Sequence, residues 1–192
     1  VYLTSCGRDK FVSGCLIDAN YWYALYDRQG KFLSGVEAIA GLSKDRDRAL
    51  SAMLSTRYAS SPDGKHLCAA NVNVPVVSFA SVSGDMLRES KRLQAQFDGE
   101  KESHGRTAKS YFNGVIADSK CVYILYSGRR ITDREMPSHE CSHILVYDWQ
   151  GNIRHHYFLS RPVCSISLTD GGFYAVSTWP SGKLLHFVTD EV

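Results

Sequence analysis

The stretch Tyr111-Phe112-Asn113-Gly114-Val115-Ile116-Ala117-Asp118-Ser119-Lys120-Cys121-Val122-Tyr123-Ile124-Leu125-Tyr126-Ser127 decides how the rest of the chain is read. Two runs rich in β-branched and aromatic residues flank a short polar turn, the pattern of two strands in a tight hairpin. Downstream, His143 to Tyr147 reads as a third strand, Asp148 to Asn152 as a turn, and Ile153 to Leu159 as a fourth strand. These four strands, a to d, make one antiparallel unit.

The same unit recurs on both sides. Turns centred on an Asp occur at Gly7-Arg8-Asp9, Pro62-Asp63-Gly64, Ala117-Asp118-Ser119 and Thr169-Asp170-Gly171, so the Asp positions step by 54, 55 and 52 residues. A second set falls between strands c and d, at Asp27-Arg28-Gln29-Gly30, Ser83-Gly84-Asp85 and Asp148-Trp149-Gln150-Gly151. A constant period of this size, with strands flanking every turn, predicts an all-β chain of four-stranded antiparallel blades, a β-propeller. The expected strands are Val1–Ser5, Phe11–Ile17, Tyr21–Tyr26 and Lys31–Ser34 in the first unit, then Thr56–Ser60, Lys65–Ala70, Val76–Val82 and Met86–Leu93 in the second. The last unit supplies Val163–Leu168, Phe173–Thr178 and Leu184–Val188. The blades are thus expected at about 1–36, 55–93, 110–159 and 163–192, the last lacking its outer strand. An unpaired strand edge is what closed propellers avoid, so the chain is expected to form a partial or open ring within a larger propeller. Asp45 to Leu54 reads as a short helix or an irregular loop, and Gln94 to Lys109 as a polar loop.

Composition bounds the function. The 192 residues carry 44% hydrophobic and 22% charged side chains and a net charge of +2, with both signs interspersed as in Lys44-Asp45-Arg46-Asp47-Arg48. This is a globular composition; no basic stripe argues for nucleic-acid binding, and no apolar run is long enough to span a membrane. Six cysteines (Cys6, Cys15, Cys68, Cys121, Cys141, Cys164) are far apart and mostly within apolar runs, where a free thiol serves as a small buried hydrophobe.

One departure from the period points to a site. Gly84 to Gly151 spans 67 residues where Gly30 to Gly84 spans 54. The excess falls in the b–c connection of the third unit, 128–142, on the face that also carries the d–a connections. Long loops held by rigid sheets carry function disproportionately. Arg129, Arg130 and Arg134 cluster there with His139 and are the expected ligand-binding residues, since guanidinium groups clamp carboxylates and phosphates. His104 and Arg106 would share that face.

His139-Glu140-Cys141-Ser142-His143 matches the zinc-peptidase pattern, which requires a helix to bring both imidazoles to one metal. Here the second half runs into a strand, where residues four apart lie about 13 Å from one another. No metal or cofactor is expected from it. His155-His156 is assigned to a partly exposed outer strand. Tyr26, Tyr147 and Trp149 are assigned to packing between blades.

Ser61-Pro62-Asp63-Gly64-Lys65 resembles the repeat signature of TolB-like propellers. Tyr123 to Arg129, His143 to Asn152 and Tyr26-Asp27-Arg28-Gln29-Gly30-Lys31 resemble blades of the bacterial TolB-like six-bladed family. The resemblance covers about four of six blades. It implies an exported, often lipid-anchored envelope protein of the periplasm or cell surface, and brings no catalytic residues. The expected function is a non-enzymatic binding or scaffold module that takes a protein, glycan or small ligand on its loop face. The alternative is a propeller lyase or hydrolase with an axial active site, because a fold alone does not assign an activity.

Overall fold

The computed structural model describes residues 2–15, 20–42, 46–96 and 108–188. The first sheet is β1 (Leu3–Ser5), β2 (Lys10–Gly14), β3 (Tyr21–Asp27) and β4 (Phe32–Glu37); a helix, α1 (Arg46–Leu54), leads to the second. That sheet is β5 (Thr56–Ser60), β6 (His66–Asn71), β7 (Val76–Ser83) and β8 (Met86–Gln94). The third is β9 (Lys109–Ala117), β10 (Cys121–Arg130), β11 (Cys141–Asp148) and β12 (Ile153–Val163), and the fourth β13 (Ser165–Thr169), β14 (Gly172–Ser177) and β15 (Lys183–Val188). Each is an antiparallel meander in sequence order. The chain is an open β-propeller, without a closed ring.

The sheets stack through three apolar layers, and strand alternation shows why. In β10, Val122, Ile124 and Tyr126 face the second sheet, while Cys121, Tyr123 and Leu125 face the fourth. A strand buried on both faces reads as a continuous apolar run rather than an alternating one. Between the first two sheets, Val12, Tyr23 and Leu25 meet Leu67, Ala69 and Val76, with Met53 of α1 closing one end. Trp149 stacks on His66 at 5.6 Å and Tyr147 meets Phe79 at 5.6 Å, so both residues pack between blades. Tyr26 meets Phe32 of its own sheet and lies close enough to Tyr58 of the second sheet to act on its phenol.

The turns hold through their Asp side chains, which accept backbone N–H groups that the strands leave unpaired. Asp148 Oδ1 accepts from Gln150 N at 3.0 Å and Asn152 N at 2.8 Å, and Asp27 Oδ1 does the same for Gln29 and Lys31.

Several boundaries differ from expectation. Strand b of the third unit runs on to Arg130 rather than Ser127, because Arg129 and Arg130 pair with Ser110 and Lys109 across a bulge. β12 continues past Leu159 to Val163, held by the Cys141–Val163 pairing, so Val163 closes the third sheet rather than opening the fourth. In the first sheet, the outer strand begins at Phe32 and extends to Glu37. The helix over 46–54 forms. The polar stretch after β8 falls largely at 97–107, outside the described residues, as do His104 and Arg106.

Candidate functional site

The first strand of every sheet lies innermost, and these four strands enclose a cavity of about 210 Å³ on the propeller axis. β1 contributes Leu3, β5 Arg57 and Tyr58, β9 residues from Asn113 to Ile116, and β13 Ser165 and Ile166, with Cys164 just before it. Arg57, Leu3 and Ser165 all stand near the start of their strands. In β9, by contrast, the lining residues 113–116 fall in the second half of Lys109–Ala117, so the lining is not confined to the strand starts.

Arg57 dominates the chemistry. Its Nε donates to the Asn113 carbonyl at 3.1 Å, and its guanidinium carbon lies 3.6 Å from the centre of the Tyr2 ring. Nη1 is buried without a hydrogen-bond partner. Among the described residues no carboxylate pairs with it, and burial pulls its pKa below the ordinary guanidinium value. Guanidinium remains charged in proteins, so the cavity holds a positive charge with no ion-pair partner among the described residues.

Two other ionisable groups on the wall are shifted toward their neutral forms. Burial pushes the Tyr58 phenol well above its ordinary range. Cys164 is likewise raised, first by burial and then by Glu140, and its Sγ donates to the Val176 carbonyl at 3.3 Å. Behind the wall, Asn113 Nδ2 donates to the Ser138 carbonyl at 3.2 Å and to Cys141 Sγ at 3.6 Å. Burial pushes the Cys141 thiol up to about 12. All six cysteines are free thiols, four of them buried.

The residues expected to bind ligand do not line this cavity. Arg129 Nη1 pairs with Asp133 Oδ2 at 3.1 Å. Arg130 and Arg134 are exposed, and His139 Nε2 lies 3.3 Å from Thr178 Oγ1. The zinc-peptidase pattern is not helical: 139–140 lie in the connection and Cys141–Asp148 is strand. His143 points elsewhere, its Nδ1 2.9 Å from His156 Nε2 on β12. Glu140 is fully buried and has become a latch between sheets; its Oε1 accepts the backbone N–H and the hydroxyl of Thr178 at 2.7 and 2.5 Å. Among the described residues no group of three or more His, Cys, Asp or Glu side chains is placed to hold a metal. His155 and His156 lie in the outer strand on opposite faces: His156 lies against Phe158 and His155 stacks on Tyr157.

Arg57 escaped the sequence reading, though a signal was present. The four innermost strands contain only two charged residues, Arg57 and Lys109, and a charge on a strand that faces the axis stands out once the repeat is aligned.

No family model matches the chain, and no curated protein does. Solved structures do. Hydrazine synthase of Kuenenia stuttgartiensis superposes with a TM-score of 0.52 at 16% identity, over 86% of this chain and 39% of that one. The β-propeller domain of Myceliophteria thermophila Cps50 (Swd1) does so with a TM-score of 0.54 at 11% identity, over 94% and 50%. The chain thus spans half or less of the length of each. At these identities the likeness is one of fold: a β-propeller.

Proposed function

We propose that this chain is the ligand-binding region of a non-enzymatic β-propeller module, with the ligand's end group entering the axial cavity and the rest lying on the face of the β10–β11 connection. The observation that carries this reading is the cavity itself, walled by all four innermost strands and holding the uncompensated Arg57 guanidinium. Rigid walls with one oriented charge suit recognition. Catalysis by a lyase or hydrolase is less well supported, because burial shifts the Cys164 thiol and the Tyr58 phenol toward their protonated forms, the wrong state for a nucleophile or base.

Arg129, Arg130, Arg134 and His139 complete the reading as rim contacts to the outer part of a protein, glycan or small ligand. The motif resemblance extends it to the TolB-like six-bladed propellers of the bacterial envelope, with a place in the periplasm or at the cell surface. A thermal-shift screen of peptides, glycans and small metabolites tests the binding role. Hits that raise Tm saturably in the wild type and weaken in the Arg130→Ala/Arg134→Ala double variant support it; a screen with no saturable hit removes it. Fractionation of cells that express the full-length protein tests the address, with recovery in the cytosol as the outcome that overturns it.

A further inference from the structure

We propose that the axial cavity is specific for a singly charged oxyanion, the carboxylate or phosphodiester end of the ligand, received by Arg57. The inference rests on the binding reading above and adds the chemical class. Three observations carry it. Arg57 Nη1 is a buried donor without a partner, and such a group costs free energy unless something accepts its proton. The guanidinium has no carboxylate among the described residues, although Arg129, Arg92 and Arg154 each have one. Its remaining fixed contacts are the Asn113 carbonyl and the face of Tyr2, which hold the planar fork in place without cancelling its charge.

Charge narrows the class further. The lining around Arg57 is neutral: Leu3, Asn113, Val115, Ser165 and Ile166. One positive charge balances one negative charge there, while the second charge of a phosphate dianion would be desolvated without compensation.

The test uses the purified chain at constant ionic strength and pH 7.5, titrated with propionate, dimethyl phosphate, sulfate as a dianion and the neutral analogue propionamide. The Arg57 side-chain resonances and Tm are read out. Saturable perturbation by propionate or dimethyl phosphate is expected, with the stronger of the two telling a carboxylate from a phosphodiester ligand. Arg57→Met should weaken that binding roughly tenfold or more, the loss of one charge-assisted hydrogen bond, and Arg57→Lys should retain part of it. Should Arg57→Met fail to fold, the Arg57 shifts in the wild type decide. Binding of propionamide as tight as propionate, or of the sulfate dianion as tight as either monoanion, overturns the inference while leaving the binding module intact. If no probe of either charge perturbs the cavity residues, the cavity is not the binding site and both readings fall.

Discussion

At the scale of single residues, buried polar groups fasten one part of this fold to another. Asp148, with only 7% of its side chain exposed, gathers the c–d turn of the third sheet and pairs with Arg154 at 2.7 Å. Burial opposes its charge, but the hydrogen bonds from Asn152 and the Arg154 guanidinium outweigh that and hold the carboxyl below its usual range. Asp148→Ala should cost about 2 kcal/mol in urea unfolding, from donors left without an acceptor. The sign of the pH effect follows: a depressed carboxyl stabilises the fold fully above its unfolded value of about 3.9 and loses that contribution as pH falls through the folded value. The acid limb of wild-type stability should therefore be steeper than that of Asp148→Asn. His143 acts at higher pH. Burial and then the neighbouring His156 lower its pKa, and Phe158 and Tyr126 pack on the same ring. Its neutral form is the one the fold prefers, so its contribution is whole above the unfolded value of about 6.5 and lost as pH falls below it. The urea midpoint should drop between pH 7.5 and 5.5, and drop less in His143→Gln; equal drops would remove this role.

At the scale of elements, the turns are where one blade touches the next. Gly64, at φ +71°, places the second sheet's a–b turn directly on that of the first: a Cβ added there would lie 2.4 Å from Gly7 N and 2.8 Å from Gly7 Cα. Gly84, also at positive φ, would meet nothing within 4 Å. The pair separates backbone strain from collision. Gly84→Ala should cost about 1–2 kcal/mol, the penalty of a left-handed residue. Gly64→Ala should cost about 3 kcal/mol or more, because backbone atoms of another blade must move as well. Equal losses would mean that the two turns are not in rigid contact. The sequence made Pro62-Asp63-Gly64 legible as a turn, since Pro and Gly preset its dihedral angles. That the turn abuts Gly7 was not legible, because residues so far apart in the chain meet only through the stacking of sheets.

At the scale of the whole molecule, stability resides in the layers between sheets, each sheet being too thin to bury its own apolar faces. Phe79 is fully buried in the layer between the second and third sheets, and its ring fills the space beside Gly151. Phe79→Ala should cost about 3–5 kcal/mol, and the loss should appear in one transition monitored from either sheet, because sheets that share a core unfold together. Separate transitions for the two sheets would contradict that coupling.

By itself, the sequence determined the meander order, the turn positions and the number of sheets, because turn chemistry and β-type apolar runs are local properties repeated at a constant step. It also placed the longer β10–β11 connection and identified Trp149 and Tyr147 as packing residues. Only the tertiary structure decided that Glu140 serves as a latch between sheets, and that Arg57, in an ordinary-looking strand, lines the cavity with a donor unpaired. The physical reason is that burial and charge compensation depend on what the neighbouring blades bring to the same point. In a stacked fold those neighbours lie far off in the chain, 38 residues for Glu140 and Thr178 and 56 for Arg57 and Asn113.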